Sequence, residues 1–174
     1  MYSKIKVGGH PLHPMLVAFP VAFYTGTLAG FAVYTANGHQ FWLNLAIALS
    51  VGGAGGALLA ALPGFIDLMF GIPRASQAKR VGLAHGAANV VALGLFVAAA
   101  LSYVGDWNGP PASTVLGLAL SAAGVLMTVT AGVFGWMLVQ TYHVGIQLTT
   151  RQAEDEANVQ QLPALHLVAR QRAS

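Results

Sequence analysis

Residues 41–70 read FWLNLAIALSVGGAGGALLAALPGFIDLMF, and in the whole run from Phe41 to Phe70 the only charged residue is Asp67. A helix of that length rises about 45 Å at 1.5 Å per residue, more than the roughly 30 Å of bilayer hydrocarbon. Gly52, Gly53, Gly55, Gly56, Ala57, Ala60 and Ala61 crowd its middle. In water such a segment has no polar face to show. In lipid it is a transmembrane helix, and its small residues let a neighbouring helix come close.

Three further apolar stretches flank it: Met15 to Ala36, Val81 to Val104 and Ala112 to Val139, none with a charged residue. Each is long enough to cross a bilayer, and in hydrocarbon only helices or closed barrels satisfy the backbone. The composition agrees, with 56% hydrophobic and 7% charged residues against about 25% charged in soluble domains. The connections Asn37 to Gln40, Gly71 to Arg80 and Gly105 to Pro111 are short, so neighbours run antiparallel. The expected fold is all-α: an integral membrane four-helix bundle, up-down-up-down, with spans near 15–36, 41–70, 81–104 and 112–140 in a domain of residues 1–150, followed by a tail of residues 151–174.

The basic residues orient it. Lys4, Lys6, Arg74, Lys79, Arg80, Arg151, Arg170 and Arg172 all fall on one side, whereas the opposite loops carry only Asp106. Loops rich in Lys and Arg stay in the cytoplasm, so the expectation is a bacterial inner-membrane protein with both termini cytoplasmic. The tail, with Glu154, Asp155 and Glu156, reads as solvated chain, the alternative being a surface-lying helix over the mixed run Leu162 to Arg172, and His166 within it is given no role.

Chemistry concentrates at the cytoplasmic ends of the spans. His10 and His13 open the first, Asp67 ends the second, His85 opens the third and His143 closes the fourth. An antiparallel bundle brings these ends to one face. Counted from the nearest basic residue, His13, Asp67, His85 and His143 lie on the order of 8–12 Å inside the interface. Ionisable groups at such depth are costly and turn toward partners. Asn89 lies one turn after His85, Gln140 one turn before His143, and His13, Val17, Pro20, Tyr24 and Thr27 share a face of span one.

Three readings of this set stand side by side. In the first, haem b takes His13 and His85, from diagonal helices, as axial ligands, with Arg80, His10 or His143 near the propionates and the Gly/Ala stripe of span two leaving room for the macrocycle. In the second, His13, His85, His143 and Asp67 hold a Cu, Zn or Fe ion, which suits a chain without cysteine. In the third, the residues are interfacial and structural, within a non-catalytic subunit of a larger complex. Lipid is the one partner composition demands; a quinol, a redox partner protein and a homo-oligomer are further candidates. Whether the chain is an enzyme stays open. Nothing suggests hydrolysis, nucleic-acid binding or the broken midplane helices of transporters. A faint internal echo separates His13 from Asp67 by 54 residues and His85 from His143 by 58.

The opening Gly9-His10-Pro11-Leu12-His13-Pro14-Met15-Leu16-Val17-Ala18-Phe19-Pro20 resembles the signature of a bacterial membrane family labelled domain of unknown function 2231. The likeness continues at Gly64-Phe65-Ile66-Asp67, at His85 and Asn89, and from Gly135-Trp136 to Tyr142-His143-Val144-Gly145. It implies that His10, His13, Asp67, His85 and His143 occupy motif positions. The family's last span often ends in a Glu-containing motif with Tyr-Arg-His-Gly; Met137 to Thr141 lack that Glu and Arg. Relatives fused to Rieske iron–sulfur domains imply redox work beside a Rieske-type or cytochrome partner.

Overall fold

The structure is a computed structural model and describes residues 3–159, apart from Ala112, Gln147, Leu148, Ala153 and Glu156. The run Leu162 to Arg172 and His166 lie outside the described residues. Each apolar stretch is a helix: α1 Leu12–Asn37, α2 Gln40–Ile66, α3 Gln77–Tyr103 and α4 Val115–Gln140. Before α1, β1 Lys6–Val7 pairs antiparallel with β2 His10–Pro11 through a turn in which Gly8 and Gly9 take positive φ. A π turn, Asp67–Gly71, extends α2, and a 3-10 turn, Val104–Asp106, follows α3.

Local chemistry moves the helix ends relative to the apolar stretches. α1 begins three residues early because Pro11 and Pro14 suit a helix start, where a missing N–H removes no bond. α3 begins at Gln77 because the Ser76 side chain accepts from the Lys79 amide at 3.2 Å. α4 begins late, since Gly109-Pro110-Pro111 excludes helix and Ser113 Oγ accepts from the Val115 amide at 3.3 Å. Gly38 closes α1 in the left-handed region, its N–H donating to the Tyr34 carbonyl at 2.7 Å.

The four helices are long and apolar enough to cross a bilayer, and at most a third of each apolar core is buried inside the protein. Leu62, Phe70, Val90, Leu101 and Val115 point outward and are exposed. A water-facing surface does not carry so continuous an apolar cover, whereas lipid tails solvate it. Polar side chains within the helices are satisfied locally: Thr25, Thr27, Thr35, Ser102, Ser121, Thr128 and Thr130 each donate to the carbonyl four residues back.

α1 and α2 form one antiparallel hairpin, α3 and α4 another, with much thinner seams between the hairpins. The Gly/Ala stripe of α2 faces α1. A methyl group at Gly53 would lie 2.7 Å from the Tyr24 ring, one at Gly30 2.9 Å from Ala46 Cβ, and one at Gly56 3.4 Å from Phe19 and Pro20. Close packing therefore uses the space that the sequence left open for a macrocycle. α1 and α3 lie diagonally and meet along the centre through paired rings, among them Tyr24 on Phe96 (centroids 3.7 Å apart, planes at 4°) and Phe31 on Tyr103 (4.9 Å). Ser50, fully buried, crosses from α2 to donate to the Phe96 carbonyl at 2.8 Å.

Tyr24 is 3% exposed and, among the described residues, its hydroxyl has no hydrogen-bond partner. An unpaired buried hydroxyl costs about 1–3 kcal/mol. Tyr24→Phe keeps the stacked ring and is expected to raise stability in detergent by about 1 kcal/mol. A melting temperature lowered by the substitution would show that the hydroxyl is paired in the folded protein.

Candidate functional site

His13 sits in the first turn of α1 and reaches across to α2, where its Nδ1 lies 2.8 Å from the Ala60 carbonyl. His85, in the third turn of α3, does the same within the other hairpin, its Nδ1 2.8 Å from the Ala131 carbonyl of α4. A carbonyl only accepts, so each imidazole carries its proton on Nδ1 and has a lone pair at Nε2. Pro63 has no N–H for the Leu59 carbonyl and disturbs α2 beside Ala60; α4 presents Ala131 without a proline.

Each ring lies over a glycine. A methyl group at Gly64 would come 2.7 Å from the His13 ring, and one at Gly135 3.3 Å from the His85 ring. The two imidazoles then meet across the bundle centre, centroids 6.0 Å apart and planes perpendicular at 89°. Both are half-buried. Asn89, one turn beyond His85, places its amide nitrogen 3.2 Å from His85 Nε2 and 2.9 Å from the His85 carbonyl. His13 is anchored at one nitrogen by main chain and open at the other, as proteins commonly hold a metal-binding histidine, whereas the second nitrogen of His85 meets Asn89.

The remaining three candidates lie elsewhere. Asp67 is taken by the N-terminal arm: Ser3 Oγ donates to it at 2.7 Å and the Lys4 amide at 2.6 Å. His143 lies beyond the end of α4, exposed and in the left-handed region at φ 52°. His10 is exposed on β2. Among the described residues no group of three or more His, Cys, Asp or Glu is placed to hold a metal ion. Lys79 is buried, its ammonium donating to the Leu68 carbonyl in the π turn.

Residues 9–148 match the family described as "Predicted membrane protein (DUF2231)". The chain belongs to this family. No curated protein and no solved structure matches it. The matched segment takes in both hairpins and all five residues singled out above. What sequence reasoning missed is the acceptor side of the site, the carbonyls of Ala60 and Ala131. Gly64 and Gly135, which open each of two motif blocks, were the one available signal.

Asp67→Ala removes two hydrogen bonds to a charged acceptor, each worth about 1.5–3 kcal/mol locally. Amide exchange at Lys4 is expected to accelerate about tenfold or more, with cleavage at the Gly8–Gly9 turn appearing under limited proteolysis. The bundle's melting temperature should move little. An unchanged exchange rate at Lys4 would disprove the clamp.

Proposed function

We propose that this chain is a membrane electron carrier that holds haem b between its two hairpins, with His13 and His85 as the axial ligands. The observation that carries the reading is the pair of imidazoles, anchored at Nδ1 and 6.0 Å apart. Metal–imidazole bonds of about 2.0–2.1 Å, with the ring radius added, put the centroids of two opposed ligands roughly 6 Å apart.

The donor count favours haem over a bare ion. Two imidazoles leave Cu, Zn or Fe short of its usual ligands, and among the described residues no third His, Cys, Asp or Glu joins them. Haem brings four nitrogens and asks the protein for two more; when bound it supplies one-electron chemistry. The chain's own residues fix the rings through Ala60 and Ala131, and the thin seams between hairpins are where a flat group would enter.

With Lys4, Lys6, Arg74, Lys79, Arg80 and Arg151 gathered at the end where α1 begins and α4 stops, this end faces the cytoplasm of a bacterial inner membrane in the proposed reading. Electrons would then pass between a membrane donor such as quinol and a Rieske-type or cytochrome partner. One observation favours a second reading, a structural histidine pair within a larger membrane complex: both ring nitrogens of His85 already have protein partners.

An absorption spectrum and metal analysis of the detergent-purified protein, expressed with haem precursor supplied, separate the readings. The expected result is a Soret band at one haem per chain with the spectrum of a six-coordinate low-spin iron. A colourless, metal-free and well-folded protein would leave the structural reading standing alone.

A further inference from the structure

Three pairs of rings meet across the bundle centre, and the partners in each pair are 72 positions apart: His13 with His85, Tyr24 with Phe96, Phe31 with Tyr103. The other two helices keep a companion spacing of 71. Ala60 and Ala131 accept from the imidazoles, Gly64 and Gly135 lie beneath those rings, Gly53 and Gly124 flank the Tyr24–Phe96 stack, and Ser50 and Ser121 are both fully buried. Two unrelated hairpins would have no reason to place like residues at one offset through three levels of the bundle. A residue that meets its own counterpart lies beside a two-fold axis. α1 and α3 run in the same direction, so that axis runs along the bundle.

We propose that α1–α2 and α3–α4 are two copies of one helical hairpin related by a quasi-two-fold axis, and that His13 and His85 are equivalent halves of a ligand site centred on it. The ligand half of this statement rests on the bis-imidazole reading above. Its occupant is a metal centre with two equal axial positions, for which an iron porphyrin is the probe. Departures from symmetry are local. Asn89 stands opposite Val17, so the Nε2 of His85 has a competitor for its lone pair that His13 lacks. Asp67 stands opposite Leu138, not opposite His143 as the echo in the sequence had it.

The test titrates haemin into the full-length apo-protein in detergent and reads the Soret band. With Asn89→Val in place, so that neither imidazole has a competitor at Nε2, His13→Ala and His85→Ala should weaken binding by the same factor, within about threefold. Asn89→Val gives His85 the neighbour that His13 has, and should tighten binding about fivefold by removing a competing hydrogen bond. A tenfold difference between the two histidine variants overturns the equivalence. Duplication is read without ligand: exchanging the stacked rings, Tyr24→Phe with Phe96→Tyr, should leave the melting temperature within about 3 °C of the original. A fall beyond about 8 °C overturns it. If the wild-type protein takes up no haemin, the haem reading and the ligand half fall together, and the exchange variant still decides the duplication.

Discussion

His85→Ala is expected to remove the Soret band from protein purified after expression with haem precursor, and His13→Ala to do the same. Each imidazole is the sole donor of its hairpin at this level, because Asp67 is bound to the N-terminal arm and His10 and His143 are exposed. Losing one ligand of a two-ligand site removes a bond and the anchored geometry together. The affinity should fall about a hundredfold or more, beyond what the loss of an outer hydrogen bond to a ligand costs. His10→Ala and His143→Ala are the controls and should retain the band. A Soret band that survives in both His13→Ala and His85→Ala would end the haem proposal.

Gly124→Ala should be the most damaging single methyl group in the bundle. The added carbon would lie 2.5 Å from the Phe96 ring, which is wholly buried and stacked at 3.7 Å on Tyr24. Tyr24 in turn lies against Gly53, where a methyl group would approach to 2.7 Å. The stack is therefore held from both sides and has nowhere to retreat. Overpacking of this kind costs about 1–3 kcal/mol, and melting in detergent should fall by several degrees. Gly86→Ala, Gly94→Ala and Gly132→Ala, whose methyl groups meet open space, should cost nothing or add stability through helix propensity. A Gly124→Ala protein as stable as those three would refute this account of the centre.

The four helices were legible because lipid imposes a coarse rule: about twenty apolar residues, few charges, short turns. The histidine pair was legible for a related reason. Depth along a helix follows from counting residues, and diagonal placement follows from order in the bundle. Counting does not give direction around the helix, or where a helix stops. Asp67 was counted to the same level as the histidines, yet it lies in a π turn and holds Ser3 and Lys4. His143 was counted as though α4 continued, but α4 ends at Gln140 and a left-handed residue sets its own direction. The Gly stripe of α2 was legible as small but not as full; Phe19, Tyr24 and His13 occupy it. The repeat showed only as an echo because it is carried by ring pairs and glycines, with little identity between them.

The imidazoles are held by oxygens that belong to the main chain at residues 60 and 131. Whatever side chain a mutation installs at those two positions, the acceptor itself remains. Substitution reaches the anchor most directly through the floor beneath each ring: a side chain at residue 64 would displace the His13 imidazole, whereas one at residue 135 asks the His85 ring to give by only a few tenths of an ångström. The orientation of both rings is thus insulated from drift at the acceptors and exposed at two glycines. A survey of tolerated substitutions should find that the buried Ala60 and Ala131 accept only small residues, and that Gly64, beneath the more tightly seated ring, accepts none.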